Sequence, residues 1–257
     1  VTDDRLVLRA TFDSVADLYS RARPGYPPRL LDDLGLRPGI RILEIGPGTG
    51  QLTVPLAARG GQVTAVELGP DLAAIARRRT AGLPAVEVIE ADFERWEPPA
   101  EPYDLVIAAT AFHWLDPATR MARVGRVLRP GGRLAVIETH HIAGGTPGFF
   151  AEVQGCYLRF DPRATADEHP PRPGEVVSED LSAPGFAAAE IRSYEWELTS
   201  ATAEYLDIVR TYSSTLSLPP DRAEGLLSCI GSLIDAYGGT VTKRYLTRMQ
   251  LVTALER

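Results

Sequence analysis

The chain has 257 residues, enough for one substantial core, and its 27 lysines and arginines are outnumbered by 34 aspartates and glutamates. The formal net charge of -7 offers no general attraction for nucleic acid or for an anionic membrane, so a small molecule is the default ligand. The two cysteines, Cys156 and Cys229, lie far apart and form no C-x-x-C, so neither a disulfide framework nor a zinc site is expected and a reducing compartment fits.

In chain order, residues 13–21 read as a helix, closed by Arg23-Pro24-Gly25-Tyr26-Pro27-Pro28, which cannot continue one. Short β-branched, apolar runs then alternate with helix-like segments, the pattern of a parallel sheet covered on both faces. Strands are expected over 41–45, 62–67, 86–90, 103–108 and 133–138, with helices over 52–59, 70–79 and 117–128. Arg129-Pro130-Gly131-Gly132 reads as the turn that stops the third of these helices and starts strand five. Residues 139–183 are rich in Gly, Pro and acids, with a helix-like piece over 149–160, and look like an insertion over the sheet. A strand over 188–199, helices over 201–213 and 221–236 and a closing strand over 240–254 follow. The most apolar internal stretch, Leu105 to Ala111, is far too short to span a bilayer, and the first residues carry no leader pattern, so a cytoplasmic protein is expected. Lys243 is the one lysine; with many Arg, Ala, Gly and Pro it reads as the usage of a GC-rich bacterial genome.

Strand one runs into Glu44-Ile45-Gly46-Pro47-Gly48-Thr49-Gly50-Gln51 and then a helix, which sets three glycines at the strand's carboxyl end, where open α/β sheets bind ligands. Alone, this run equally describes a tight strand-to-helix turn. Glu67 ends strand two, 21 residues after Gly46, and a carboxylate there can accept both hydrogen bonds of a ribose diol. The dinucleotide fingerprint needs a further glycine where this chain has Gln51 or Thr53, which disfavours a nicotinamide oxidoreductase. Asp92 and Phe93 at the end of strand three suit an adenine amino group and ring, so one nucleoside with two carboxylates fits better than a dinucleotide.

Together with the segment Ala108 to Trp114 and Leu128-Arg-Pro-Gly-Gly132, these motifs resemble the class I S-adenosylmethionine-dependent methyltransferases. Phe12-Asp-Ser-Val-Ala-Asp-Leu-Tyr19 and Arg23-Pro-Gly-Tyr-Pro27 are similar to the bacterial small-molecule group that includes trans-aconitate methyltransferase-like proteins. The resemblance implies a single α/β domain with a Rossmann-like, seven-stranded, mostly parallel sheet whose last strand is antiparallel. Residues 10–30 would cover the cofactor, 36–140 form the binding core, 141–185 cap the substrate side, and 186–257 complete the sheet.

It further implies S-adenosyl-L-methionine as cofactor and S-adenosyl-L-homocysteine as product. Gly46, Pro47, Gly48, Gly50 and Gln51 would pass along the methionine part and sugar, with Glu44 behind them. Glu67 and Leu68 would meet the ribose, Asp92 and Phe93 the adenine, and Ala109, Thr110 and His113 the sulfonium side. Tyr19, Arg23 and Tyr26 are candidates from the covering segment, Arg23 as a bidentate partner for a carboxylate.

The implied reaction is an in-line displacement, for which alignment and exclusion of water matter more than any base. His113, His140 and His141 follow strands four and five and are the candidate catalytic residues, with Trp114, His140 and His141 as acceptor contacts. No carboxylate completes a metal site with them, and none is expected. The acceptor is read as a small molecule with an O, N or C nucleophile, and the assembly as a monomer or homodimer without nucleic acid or membrane. Residues 109–112, Ala-Thr-Ala-Phe, lack the Asn- or Asp-Pro-Pro-aromatic run expected for base methylation. The competing reading is a protein that binds the cofactor without methylating: a cofactor-modifying enzyme, a cyclase or a regulatory binder.

Overall fold

A computed structural model describes residues 15–165 and 169–256. Helices α1 (Ala16–Ala22) and α2 (Pro28–Asp33) precede β1 (Arg41–Ile45), α3 (Thr53–Ala58), β2 (Gln62–Glu67), α4 (Pro70–Thr80), β3 (Val86–Glu90) and β4 (Tyr103–Ala109). A 3-10 turn at Phe112–Trp114 leads to α5 (Arg120–Val127), β5 (Leu128–Ile142), α6 (Pro147–Glu152) and α7 (Gln154–Phe160). The chain continues through β6 (Glu190–Ala201), α8 (Thr202–Arg210), α9 (Ser213–Leu216), α10 (Pro220–Ala236) and β7 (Thr240–Thr253).

The strands form one seven-stranded sheet in the order β3-β2-β1-β4-β5-β7-β6. Pairs along β3-β2-β1-β4-β5 are parallel, whereas β7 runs antiparallel to both β5 and β6. Alternation along the central strands divides the apolar residues between two faces. Ile42, Leu105, Ile107 and Ala135 pack with Leu30, Leu34, Leu52 and Leu56 on one side. Leu43, Ile45, Val106 and Leu134 pack with Phe112, Val124 and Val127 on the other. Because β7 is reversed, its first residues lie at the same edge as the carboxyl ends of β1, β2, β4 and β5, which is where the candidate residues gather.

The expected elements are present, with differences at their ends. The helix expected over 117–128 begins at Arg120, because Asp116 accepts hydrogen bonds from Ala118 N and Thr119 Oγ1 and holds a turn there. The run 129–132 is not a separate turn: β5 already pairs Leu128 with Tyr103, loops out four residues, and resumes with Arg133 opposite Leu105. β5 also extends past Glu138 to Ile142, which takes His140 and His141 into the strand. The piece expected over 149–160 divides at Val153 into α6 and α7. Of the first expected helix, Ala16–Ala22 is seen; Asp13 and Ser14 lie outside the described residues, as does Phe12 of the motif that carried the resemblance.

The segment after β5 is not a loose lid over the sheet. Phe149, Phe150, Val153 and Cys156 share a third core with Tyr205, Val209, Leu226, Ile230 and Ile234, so α6 and α7 pack with α8 and α10. Here the cysteine expectation is overturned: Cys156 and Cys229 are disulfide-bonded, with Cα atoms 5.8 Å apart, despite 73 residues of separation. Packing of α7 on α10 brings them together, a proximity that spacing along the chain does not reveal, and the cysteine argument for a reducing compartment falls with it. Among the described residues no helix is long and apolar enough to cross a membrane.

Candidate active site

At the end of β1 the backbone turns through Gly46, Gly48 and Gly50, all with positive φ. A Cβ on Gly46 would lie 2.7 Å from Ala111 Cβ, so the close approach of these two loops requires glycine. Glu67, buried at the end of β2, ties the loops together: Gly48 N donates to its Oε2 at 2.8 Å and Gly69 N to its Oε1 at 2.9 Å. Glu44 is buried one residue before the strand end, and its Oε2 finds no partner. Burial, with repulsion from Glu67, pushes its carboxyl up to about 7. Gln51 accepts from Thr49 Oγ1 at 2.9 Å while its Nε2 is buried and unsatisfied.

These residues line a cavity of about 440 Å³. It is bounded below by Glu44, Gly46, Pro47, Gly48, Gln51, Glu67 and Leu68, and laterally by Ala91 and Phe93. Gly50 is not at its surface but packs on Ala76 of α4. Asp92 also stands outside the lining; its Oδ1 accepts from Glu94 N at 3.0 Å and shapes the turn that presents Phe93. Ala109 and Thr110 close the β4 side, Thr110 holding a positive φ of 54° while its N–H donates to Ile137 O at 2.8 Å.

From the N-terminal side come Tyr19, Arg23 and Tyr26. Burial raises both phenols. Arg23 is fixed by Thr211, through Nε to Oγ1 at 2.9 Å and Nη2 to the carbonyl at 3.0 Å, and lies over the rings of Tyr19 and Tyr212. The 3-10 turn after β4 presents His113 and Trp114, whose ring centroids are 4.8 Å apart. Burial lowers the His113 pKa.

The extension of β5 separates the two adjacent histidines, since neighbouring strand residues face opposite sides. Thr139 and His141 line the cavity; His140 does not, and instead stands 3.9 Å from Glu138 on the other face. His141 pairs across with Tyr245, which pairs with Trp196 of β6, and the last two rings stack at 4.5 Å. Burial, and then the charge of Lys243, pulls His141 down to about 3, so it is neutral at physiological pH. Trp196, Tyr212, Lys243 and Tyr245 complete this wall, and sequence reasoning missed all four. A signal existed for one of them, since the chain's single lysine falls early in the closing strand.

A family profile described as a methyltransferase domain matches residues 42–132. An uncharacterized methyltransferase of Mycobacterium tuberculosis is 30% identical over 247 residues, covering 93% of this chain and 94% of that protein. The chain belongs to the class I S-adenosylmethionine-dependent methyltransferases. Solved structures similar to this methyltransferase share its fold. They include a type II methyltransferase of Anaeromyxobacter dehalogenans, with a TM-score of 0.62 and 24% identity over 91% of this chain and 99% of that one. A Geobacter sulfurreducens methyltransferase in complex with S-adenosylhomocysteine gives 0.52 and 18% over 92% and 96% respectively. An rRNA adenine N-6-methyltransferase of Saccharopolyspora erythraea is 46% identical, over 78 residues that make up 30% of this chain and 20% of that protein.

The cavity of the methyltransferase fits S-adenosylmethionine. Its glycine turn leaves backbone exposed where a side chain has no room, and the unpartnered Glu44 Oε2 and Gln51 Nε2 are an acceptor and a donor awaiting polar groups. Glu67, with its two oxygens on the Gly48 and Gly69 N–H groups, faces the same cavity and brings a carboxylate to it.

Proposed function

We propose that this methyltransferase acts on a small-molecule acceptor by in-line displacement. The observation that carries the reading is a second cavity, of about 690 Å³, that shares His141, Tyr212 and Lys243 with the first. A cofactor held over the glycine turn thus has a separate compartment beside it, walled by α6, α7, α8 and α9. S-adenosylmethionine, when bound, supplies an electrophilic methyl on a positively charged sulfur.

In this reading Glu44 meets the ammonium of the methionine part and Arg23 its carboxylate. Glu67 takes the ribose hydroxyls, Phe93 packs on the adenine, and Asp92 acts through the turn it shapes. Ala109, Thr110 and His113 bound the sulfonium side, with Tyr19, Tyr26 and Trp114 excluding water. His141, which burial and Lys243 hold neutral, and His113, whose pKa burial lowers, are placed to orient the acceptor. His140 has no place in the chemistry. The protein works without nucleic acid or membrane, as a monomer or homodimer.

Calorimetric titration with S-adenosylmethionine, S-adenosylhomocysteine and NAD tests the first premise: the first two bind and NAD does not. Transfer of labelled methyl to small acceptors tests the second. Binding without turnover to any acceptor favours a binder or cyclase instead.

A further inference from the structure

Residues 173–181 belong to the segment expected to cap the substrate side, yet they lie on the other face of the sheet. Val176 packs with Ile142 and Leu246, the strand neighbours of His141 and Tyr245, which line the cofactor cavity from the opposite face. β7 fastens the segment there: Arg248 donates to Pro173 O and to Ser178 Oγ, both at 3.1 Å, and Gln250 Nε2 donates to Glu179 O at 3.0 Å. From this position Glu179 reaches Arg120, the first residue of α5, at 2.6 Å. Arg120 is 6% exposed, and the rest of its guanidinium is directed at Phe112. Nη1 donates to Phe112 O at 3.2 Å, and the charge lies 4.7 Å from the ring centroid. Phe112 opens the 3-10 turn that presents His113 and Trp114 to the cofactor cavity. One guanidinium therefore joins a strap behind the sheet to a turn at the site.

As a source of stability the pair is poorly built. Arg120 Nε and Glu179 Oε2 are both buried without partners, and a desolvated ion pair with unmet polar atoms gains little over apolar side chains of similar size. What it supplies is direction, because the planar fork fixes Phe112 O and the carboxylate at set angles to each other. The pair also acts on His113 through space: burial lowers the His113 pKa most, the charges of Glu179 and Glu138 raise it, and Arg120 lowers it. We propose that Arg120 and Glu179 are positioning residues of the cofactor site, holding the Phe112–Trp114 turn so that His113 and Trp114 close the sulfonium side. This rests on the placing of those two residues in the reading above. Neither Arg120 nor Glu179 lines the cavity, so they act on the cofactor through the turn.

Replacing both at once, Arg120→Met with Glu179→Met, removes the two charges together and leaves apolar side chains of similar length. Affinity for S-adenosylhomocysteine, measured by calorimetry, is expected to fall at least tenfold, with a urea midpoint no lower than that of the wild type. In protein labelled with 13C at histidine Cε1, S-adenosylhomocysteine shifts the wild-type His113 signal, which is assigned with His113→Asn. The double variant at saturating ligand is expected to lose that response. The proposal is overturned if the double variant binds less than tenfold more weakly, or if its His113 signal responds as in the wild type. Should the midpoint be lower, or the double variant fail to fold, Arg120→Lys decides, since it keeps a cation for Glu179 but lacks the fork that spans both partners. At least threefold weaker binding by Arg120→Lys supports the proposal and wild-type affinity overturns it. Failure of the wild-type protein to bind S-adenosylhomocysteine is a separate outcome and removes the cofactor site itself.

Discussion

Gly46 combines a φ of +64° with 2.7 Å of room toward Ala111 Cβ, so a methyl group there meets both backbone strain and a clash. Gly46→Ala is expected to lower stability by about 1–3 kcal/mol, read by urea denaturation, and to weaken S-adenosylmethionine at least tenfold. Glu44 gives a pH signature. Its carboxyl titrates near 7 folded and near 4.5 unfolded, so the folded state binds more protons between those values and stability falls as pH rises through that window. Glu44→Gln removes this slope; relative to wild type the variant gains on the order of 3 kcal/mol between pH 4.5 and 8, measured as a difference in urea midpoints. His141 contributes the opposite slope, since its depressed pKa makes stability fall below pH 6.5, and subtracting wild type cancels that effect. Glu67→Gln weakens the cofactor by about 1–3 kcal/mol, and Asp92→Asn by less, because Glu67 faces the cavity and Asp92 does not. Comparative calorimetry ranks the two.

Among the elements, the central strands were legible because their β-branched runs are short, apolar and bounded by turn residues. What escaped was whatever depends on a neighbour. Pro130 and two glycines read as a turn by local preference, yet the edge of β4 and the reversed β7 hold them in an interrupted ladder, with Ala254 accepting from Gly131 N and donating to Gly132 O. Lys243 and Tyr245 were invisible as site residues because the rule for parallel sheets looks to strand carboxyl ends, and an antiparallel strand enters that edge with its beginning. The disulfide was hidden for the same reason, being a contact between helices rather than a pattern in sequence. It closes a loop of 73 residues, so replacing both cysteines with serine is expected to cost about 2–4 kcal/mol. Thermal unfolding of that variant, with and without reductant, separates the bond from the substitution.

For the whole molecule, the net charge of -7 argues against a nucleic-acid footprint, and filter binding to an rRNA fragment at physiological salt should show no affinity tighter than about 100 µM. Saturable binding in the micromolar range would reopen the acceptor question. The glycine-turn cavity was readable because its glycines and carboxylates have fixed spacing on consecutive strands, whereas the second cavity is lined from β5, α6 to α9 and β7, remote in sequence and joined only by packing. That arrangement bears on synthesis. β7 follows β6 in the chain yet lies between β5 and β6, so in a nascent chain that has emerged only as far as residue 239 the edges of β5 and β6 that face β7 are both unpaired. While the ribosome is still making residues 240–253, the half-built sheet is at its most adhesive, and a stall there would leave a species inclined to pair with its neighbours on the same message.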